Sequence, residues 1–297
     1  MIDLHIHSNC SDGSDDYKTI LKKAEDIGLE CISITDHDNC RVYEQIEQDN
    51  IKKYYSGKLI TGVELQAYIK GFSIELLGYL VDYKVINKEV ENLNLPYEQI
   101  NKIELERAYK KQVENGIKFD DGILEKYNPN EFYYATNYLH NEMRKEISNK
   151  RYIPDEKAWE QESVFFRKYT SNVNSKFHID ESDLIPSVGK VIEIIKRAGG
   201  LVFIPHIYQY EENSIRILEE LINNYDIDGI ECYYPDFTEE QTKFLLDFCR
   251  NNNKYISGGT DYHGSDRPNI QLGIGLGKLD IDYETVKKWA RNYLYIT

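Results

Sequence analysis

Apolar and polar residues alternate at the amino-terminal end of the chain. Ile2, Leu4 and Ile6 are separated by Asp3 and His5, and a period of two residues is typical of a β-strand whose two faces differ. Short apolar runs of strand length recur further along, at residues 32–35, 59–63, 201–205, 227–233 and 255–258. The pattern therefore predicts a series of short strands distributed over most of the chain.

Segments between these runs carry apolar residues at helical spacing. One stripe contains Tyr17, Ile20, Leu21, Ala24 and Ile27, and another contains Val188, Val191, Ile192, Ile195 and Ala198. Ser14 is a candidate N-cap of the first helix and Gly28 a candidate stop signal, while residues 238–241 match a capping box. Strands that alternate with helices predict parallel β-structure with the helices outside.

The stretch from residue 84 to residue 186 departs from this alternation. It is rich in Asn, Lys, Glu and Tyr, and its apolar stripes indicate helices near Ile103, Leu139 and Phe165. We interpret residues 84–186 as an inserted, mostly helical subdomain that caps a barrel. The barrel itself is then formed by residues 1–83 and 187–297.

Composition narrows the class of protein. Asp and Glu number 51 against 36 Lys and Arg, a formal net charge of −15, and so acidic a surface does not attract long duplex nucleic acid. No apolar stretch approaches the ~20 residues of a membrane span, and the first strand begins at Ile2, which leaves no room for a signal peptide. The five cysteines are odd in number and form no Cys-x-x-Cys pair. We therefore expect a cytoplasmic protein without membrane contacts, and nothing in the sequence predicts an oligomeric state.

Histidines and acidic residues gather where the predicted strands end. Five of the seven histidines lie there, and two carboxylates follow apolar runs in the same way: His5, His7, His37, His206, His263, Glu64 and Asp261. A barrel collects such strand ends at one mouth. Imidazole and carboxylate groups together suit a borderline transition metal. The sequence therefore predicts a metal site at the mouth of an α/β barrel, with Asp3, Asp36 and Asp38 as candidates to orient its ligands.

The order of the motifs resembles one known family. Asp3-x-His5-x-His7-Ser-x-x-Ser-Asp12-Gly, Thr35-Asp36-His37, Gly62-Val-Glu64, Pro205-His206 and Gly258-Gly-Thr-Asp261-Tyr-His263 look like the successive motifs of the PHP (polymerase and histidinol phosphatase) family. The resemblance implies a distorted seven-stranded, TIM-like α/β barrel. The Ser-Asp-Gly turn and the long insertion resemble the branch of nucleoside 3′,5′-bisphosphate phosphatases and 5′-to-3′ exonucleases acting on short RNA.

The resemblance also implies two or three divalent metal ions (Mn²⁺, Fe²⁺ or Zn²⁺) and their ligands. The implied ligands are His5, His7, Glu64 and Asp261 for one metal, Asp12, His37 and His263 for a second, and Glu64, His206 and residue 75 for a third. Among them, Asp12, His37, Glu64, Asp261 and His263 are expected to take part in catalysis. Residue 75 is Glu75, where the branch usually has His. A carboxylate there would favour Mn²⁺ or Fe²⁺, or leave the third metal weak or absent.

A second departure concerns the contacts with the substrate. The Arg-Pro-His element that contacts a substrate phosphate in related phosphatases is missing, and Arg144 or His140 is a candidate substitute. Arg41 and Arg267 lie four residues after predicted ligands and are further candidates to bind phosphate. Tyr133, Tyr134 and Tyr138 are candidates to stack on a base.

Several divalent ions around one cavity predict hydrolysis of a phosphomonoester by a hydroxide that bridges two of them. The expected substrate is a small phosphorylated molecule of the nucleotide type, such as a nucleoside 3′,5′-bisphosphate. The alternatives are a 5′-to-3′ exonuclease acting on short RNA, a histidinol-phosphate phosphatase and a noncatalytic metal- or nucleotide-binding module.

Overall fold

The computed structural model describes residues 1–93, 97–129 and 134–290. Seven strands form one sheet in which they follow one another in chain order. Their bounds are β1 Ile2–Ile6, β2 Cys31–Ile34, β3 Lys58–Ile69, β4 Phe72–Tyr79, β5 Leu201–Ile204, β6 Gly229–Tyr233 and β7 Tyr255–Gly258. Neighbours in the chain are thus neighbours in the sheet, which is the simplest way to build a barrel.

The sheet closes between its first and last strands. Ile6 and Tyr262 form a parallel bridge, and the His7 amide donates to the Tyr262 carbonyl at 2.8 Å. Gly259 permits this approach, because a Cβ at that position would lie only 2.4 Å from the His5 backbone nitrogen. The prediction of a seven-stranded α/β barrel is confirmed.

One strand contradicts the prediction of purely parallel β-structure. β4 runs antiparallel to both β3 and β5, whereas the remaining paired strands are parallel. The reason is a tight turn at Lys70 and Gly71, both with positive φ, which joins β3 directly to β4 as a hairpin. β3 also continues past its predicted end at Glu64, since the chain stays extended and mostly buried as far as Ile69.

Helices connect the parallel strands. Their bounds are α1 Tyr17–Asp26, α2 Arg41–Glu47, α3 Tyr83–Glu91, α4 Tyr97–Glu114, α5 Ala135–Lys145, α6 Glu156–Glu160, α7 Glu162–Phe165, α8 Val188–Arg197, α9 Ser214–Asn224, α10 Glu239–Asn251 and α11 Glu284–Lys287. A π-helix, Phe166–Thr170, continues from α7. The capping box predicted at Thr238 opens α10, whereas α1 is capped by Asp16 and not by Ser14.

Two apolar cores hold the barrel together. The larger one joins the strands to the buried faces of the surrounding helices, for example Leu21 of α1 and Ile195 of α8. The smaller one joins Leu4, Phe203 and other strand residues to Trp289 and its neighbours near the end of the described chain. Because Leu4 and Phe203 precede the carboxyl ends of their strands, this smaller core closes the end of the barrel opposite the predicted metal site.

The helices between β4 and β5 have apolar clusters of their own. Leu105 of α4 packs with Leu139 of α5, and Met143 of α5 packs with Trp159 of α6. α3 differs from them, because its Ile86 belongs to the larger barrel core. α4 to α7 therefore form a layer next to the barrel, and this layer has apolar clusters separate from the barrel core.

Candidate metal centre

The barrel brings the predicted ligands to one mouth. His5 lies in β1, while His37, His206 and the pair Asp261 and His263 follow the carboxyl ends of β2, β5 and β7. Glu64 and Glu75 lie within β3 and β4, and the hairpin places them at the same mouth. Each of these side chains except Glu75 belongs to a buried residue. A polar cluster buried this deeply requires a compensating partner.

Four of the ligands form a first cluster, His5, His7, Glu64 and Asp261. His5 Nε2 lies 3.2 Å from Glu64 Oε2 and 3.5 Å from Asp261 Oδ1. His7 Nε2 lies 3.3 Å and 3.2 Å from the same two oxygens. These are the residues that the resemblance implies for the first metal, and the structure brings all four together.

A second cluster surrounds Asp12, which lies on the loop after β1. One Asp12 oxygen is 3.2 Å from His263 Nε2, and the other is 3.7 Å from His37 Nε2. His7 Nδ1 is 3.6 Å from the first of these oxygens. The His7 ring therefore lies between the two clusters, with one nitrogen directed toward each.

The residues implied for a third metal also meet. His206 Nε2 lies 2.9 Å from Glu64 Oε1 and 3.4 Å from Glu75 Oε2. Glu75 Oε2 in turn accepts a hydrogen bond from Arg167 Nη2 at 2.9 Å. The carboxylate that replaces the usual His is therefore already paired with a guanidinium.

The side chains present fit divalent metal ions. His7 Nδ1 and His263 Nε2, which both face Asp12, are buried and have no hydrogen-bond partner among the residues that the structure describes. Such ring nitrogens are costly to leave unpaired and are free to coordinate. The donor set of imidazole nitrogens and carboxylate oxygens suits Mn²⁺, Fe²⁺ or Zn²⁺.

Opposite charges at close range dominate the electrostatics of the cluster. Burial disfavours the charged form of His7, but Asp261 and Glu64 outweigh it and raise the pKa of His7 to about 10. Burial likewise favours a neutral Asp261, yet Arg267 and His5 hold the pKa of that carboxyl well below its usual value. Asp261 is therefore held in its ionised form, as a carboxylate ligand must be, whereas the His7 ring would release a proton on binding a metal ion.

Two of the ligands adopt backbone conformations that L-residues rarely occupy. His206 has φ of 22° and Asp261 has φ of 54°. Each such residue costs on the order of 1 kcal/mol and persists only where the surroundings fix it. The fold thus stores local strain at residues that direct side chains into the cluster.

Glu231 of β6 is a functional residue that the sequence analysis missed. Its Oε1 lies 3.0 Å from His5 Nδ1, and its Oε2 accepts from the His206 amide at 2.7 Å. The side chain is completely buried. Glu231 therefore orients the His5 ring and the strained backbone of His206. The sequence signal that could have identified it was a carboxylate in the middle of an apolar strand.

Asp3, Asp36 and Asp38 were expected to orient the histidine rings, but the hydrogen bonds given for their carboxylates come from other groups, for Asp38 from the Gln66 amide at 2.9 Å. The Asp3 carboxylate accepts from the Thr260 amide at 2.9 Å and the Thr260 hydroxyl at 2.6 Å. Asp36 accepts from the Ser8 amide and from the Ser11 hydroxyl, both at 2.7 Å. Asp3 therefore fastens the loop after β7 to β1, and Asp36 fastens the loop that carries Asp12.

A pocket of about 400 Å³ opens beside the cluster. Arg267 lines it, as expected of a phosphate ligand, and contacts Asp261. Arg167, which the sequence analysis did not single out, also lines the pocket. No motif marks Arg167, because it lies in the irregular region between β4 and β5. Tyr134 is a third lining residue and meets the His37 ring edge-on at 5.8 Å.

Three other predicted substrate ligands lie outside the described lining of this pocket. Arg41 donates to the Cys10 carbonyl at 2.7 Å, and Arg144 pairs with Glu160 at 2.6 Å. His140 is buried among apolar residues, with its Nε2 3.0 Å from the Ala158 carbonyl. Each of these side chains is thus engaged in local structure. Of the tyrosines, Tyr138 packs in an apolar cluster, and Tyr133 lies outside the described residues.

Comparison with known families identifies the class of protein. The model of the PHP domain matches residues 3–177, which is more than half of the chain. The chain therefore belongs to the PHP domain family. This membership confirms the expected class, a hydrolase of the metal-dependent phosphoesterase type.

Individual relatives are distant but extend over nearly the whole chain. A 5′-3′ exoribonuclease from Haemophilus influenzae is 26% identical over 294 residues, which are 97% of this chain and 98% of the relative. A phosphoribosyl 1,2-cyclic phosphate 1,2-diphosphodiesterase from Eggerthella lenta is 22% identical over 273 residues, 88% of this chain and 94% of the relative.

Solved structures share the fold. A protein from Bifidobacterium adolescentis assigned as a metal-dependent phosphoesterase superposes with a TM-score of 0.65, at 23% identity, covering 99% of this chain and 97% of that chain. An amidohydrolase from Chromobacterium violaceum superposes with a TM-score of 0.62, at 18% identity, covering 89% of this chain and 88% of that chain. Within the described ranges, the helices of this chain are too short or too polar to cross a membrane.

Proposed function

We propose that this protein hydrolyses phosphomonoesters and that its substrate is a nucleotide. The observation that carries the proposal is the meeting of five histidines and several carboxylates beside a pocket that also contains Arg167 and Arg267. A phosphoryl group needs cationic stabilisation on several oxygens at once, and this pocket offers it from two directions.

The proposed metal ligands are those that the clusters bring together. His5, His7, Glu64 and Asp261 would hold one divalent ion, and Asp12, His37 and His263 a second. Glu64, His206 and Glu75 would hold a third, and His37 is also within reach of Glu64 and Glu75. When bound, such ions would polarise phosphoryl oxygens and supply an acidified water at neutral pH. The added carboxylate of Glu75 favours Mn²⁺ or Fe²⁺ over Zn²⁺.

Two arginines would position the phosphate. Arg167 and Arg267 each contact a carboxylate of the cluster, and a guanidinium has five N–H donors, so further donors are left for phosphate oxygens. Their fixed geometry would hold the ester with its phosphorus facing the cluster. Orientation of this kind supplies a large part of the barrier reduction in phosphoryl transfer.

The helices over the pocket would exclude water and select the substrate. Glu104 of α4, Asn137 of α5 and Glu162 of α7 all line the pocket, which supports the proposal that residues 84–186 form a cap on a barrel of residues 1–83 and 187–297.

The five cysteines are free and buried, although Cys232 Sγ and Cys249 Sγ are 3.6 Å apart. We also propose a cytoplasmic location, where cysteines remain as thiols.

The test is phosphate release from nucleotides by the protein loaded with Mn²⁺. We expect release from at least one of 3′-AMP, 5′-AMP and adenosine 3′,5′-bisphosphate, and a loss of at least 1,000-fold in kcat/KM for the His263→Asn variant. Lys190→Gln, on the outside of α8, is the matched control and should keep full activity. A metal-loaded protein that releases phosphate from none of them would refute the proposal.

A second candidate function has a specific observation in its favour. The relative from Haemophilus influenzae that covers 97% of this chain is a 5′-3′ exoribonuclease. The same clusters could serve hydrolysis of a phosphodiester at the 5′ end of short RNA. Incubation with a 5′-phosphorylated RNA pentamer distinguishes the two, because an exonuclease releases mononucleotides and a phosphomonoesterase releases inorganic phosphate.

A further inference from the structure

The pocket has two unlike walls. One, the metal wall, consists of the candidate ligands. The other, the helical wall, consists of residues from the helices between β4 and β5: Glu104, Thr136, Asn137, Glu162, Ser163 and Phe166. An ester whose phosphate meets the metal wall must place its remaining atoms against the helical wall.

Positive charge in the pocket is directed to the metal wall. Among the described residues that line the pocket, Arg167 and Arg267 are the ones with a Lys or Arg side chain. Arg167 pairs with Glu75, and Arg267 pairs with Asp261. Both cations are therefore paired with the metal wall, where the scissile phosphate would lie, and their charge also reaches Glu162, where it partly offsets the effect of burial on the pKa.

The helical wall carries carboxyl groups instead. Glu104 is 6% exposed, and Glu162, which is partly buried, accepts a hydrogen bond from the Asn137 amide nitrogen. Burial raises the pKa of Glu162 to about 7 and holds that of Glu104 well above its usual value. A carboxyl group that is ionised repels a phosphate, and one that is neutral offers a single O–H donor.

We propose that the helical wall binds the uncharged, hydrogen-bond-donating part of a nucleoside monophosphate and disfavours a second phosphate. The inference rests on the proposed phosphomonoesterase function. Glu104 and Glu162 accept hydrogen bonds from ribose hydroxyl or base amino groups, while Tyr134 and Phe166 supply aromatic surface for the base. The pocket volume of about 400 Å³ lies within the range of small-molecule sites.

The experiment compares kcat/KM for two substrates that differ by one phosphate. We expect the better of 3′-AMP and 5′-AMP to exceed adenosine 3′,5′-bisphosphate by at least 10-fold. Glu162→Gln and Glu104→Gln each replace an ionisable carboxyl group by an amide of nearly the same shape, and each should narrow the ratio of the two kcat/KM values at least 5-fold. Glu106→Gln, on the exposed side of the same α4, is the matched control and should leave the ratio unchanged.

The outcomes separate this inference from the proposed function. A preference for the bisphosphate in the native protein, or a ratio that neither Gln variant moves, would overturn the inference while leaving phosphatase activity established. Metal content and the unfolding temperature of each variant verify that it is folded. Because Glu104 and Glu162 lie in different helices, each variant tests the inference separately. If no ester is hydrolysed, the proposed function fails, and calorimetric binding of the same nucleotides still decides the inference by which of them binds more tightly.

Discussion

At the scale of single residues, the centre depends on side chains that hold other side chains in place. Glu231 contacts the His5 ring and the His206 amide while completely buried. A carboxylate in that position fixes the tautomer and direction of His5 and makes it a better metal ligand. The strained backbone of His206 also depends on this hydrogen bond.

Replacement of Glu231 therefore tests how the centre is built. We expect Glu231→Gln to weaken Mn²⁺ affinity by about 10- to 100-fold, because the amide cannot accept from both partners as an ionised carboxylate does. The measurement is competition with a fluorescent chelator. Glu219→Gln, exposed on α9, is the control. Equal affinities in the two variants would show that Glu231 has no positioning role.

Residue type and position in the chain were sufficient to name most of the candidate ligands, and the family resemblance added Glu75. His37 and His206 follow apolar runs, and that pattern is visible without a structure. Glu231 and Arg167 were not found, because their importance depends on contacts between strands or helices far apart in sequence. Arg41 was selected by its distance from a ligand along the chain, yet its guanidinium points to a backbone carbonyl.

At the scale of elements, barrel closure depends on a close approach between β1 and the residues after β7. A Cβ on Gly259 would lie 2.4 Å from His5 atoms, a distance that forces the backbone apart. We expect Gly259→Ala to destabilise the fold by about 3 kcal/mol or more and to reduce metal content, since His5 would move with the strand. Thermal unfolding and metal analysis check this.

Gly189 provides the matched control for that substitution. It lies in α8, and the nearest atom to an added Cβ is 3.9 Å away, in Tyr225. Gly189→Ala should therefore leave metal content unchanged and stabilise the protein by up to about 1 kcal/mol, as expected for alanine in a helix. A Gly259→Ala protein as stable as Gly189→Ala would contradict the close-approach argument.

The direction of β4 marks the limit of prediction at this scale. Apolar periodicity located six of the seven strands but missed β4, and it does not encode strand direction. Direction depends on the connection, and the turn at Lys70 and Gly71 was too short to accommodate a crossover helix. The hairpin matters for function, because it places Glu64 and Glu75 in neighbouring strands at the same mouth.

At the scale of the whole molecule, metal binding should contribute to stability. The clusters concentrate buried charge in a protein of net charge −15, and divalent ions would offset part of it. At 100 times the dissociation constant, a ligand of the folded state adds about 2.7 kcal/mol. We expect chelation to lower the unfolding temperature by about 5 °C or more, and Mn²⁺ to restore it. Scanning calorimetry measures this, and Asp261→Asn should show a smaller response.

Closure of the barrel also has a consequence for the order of its synthesis. β1 leaves the ribosome first, yet its partner on one side, the segment at Tyr262, is translated long afterwards. Until then, β1 presents an open backbone edge, and the histidines it carries have no counterpart from the far side. Nascent chains of this protein therefore spend most of their translation time as an incomplete barrel, which is the stage at which chaperones have most to shield.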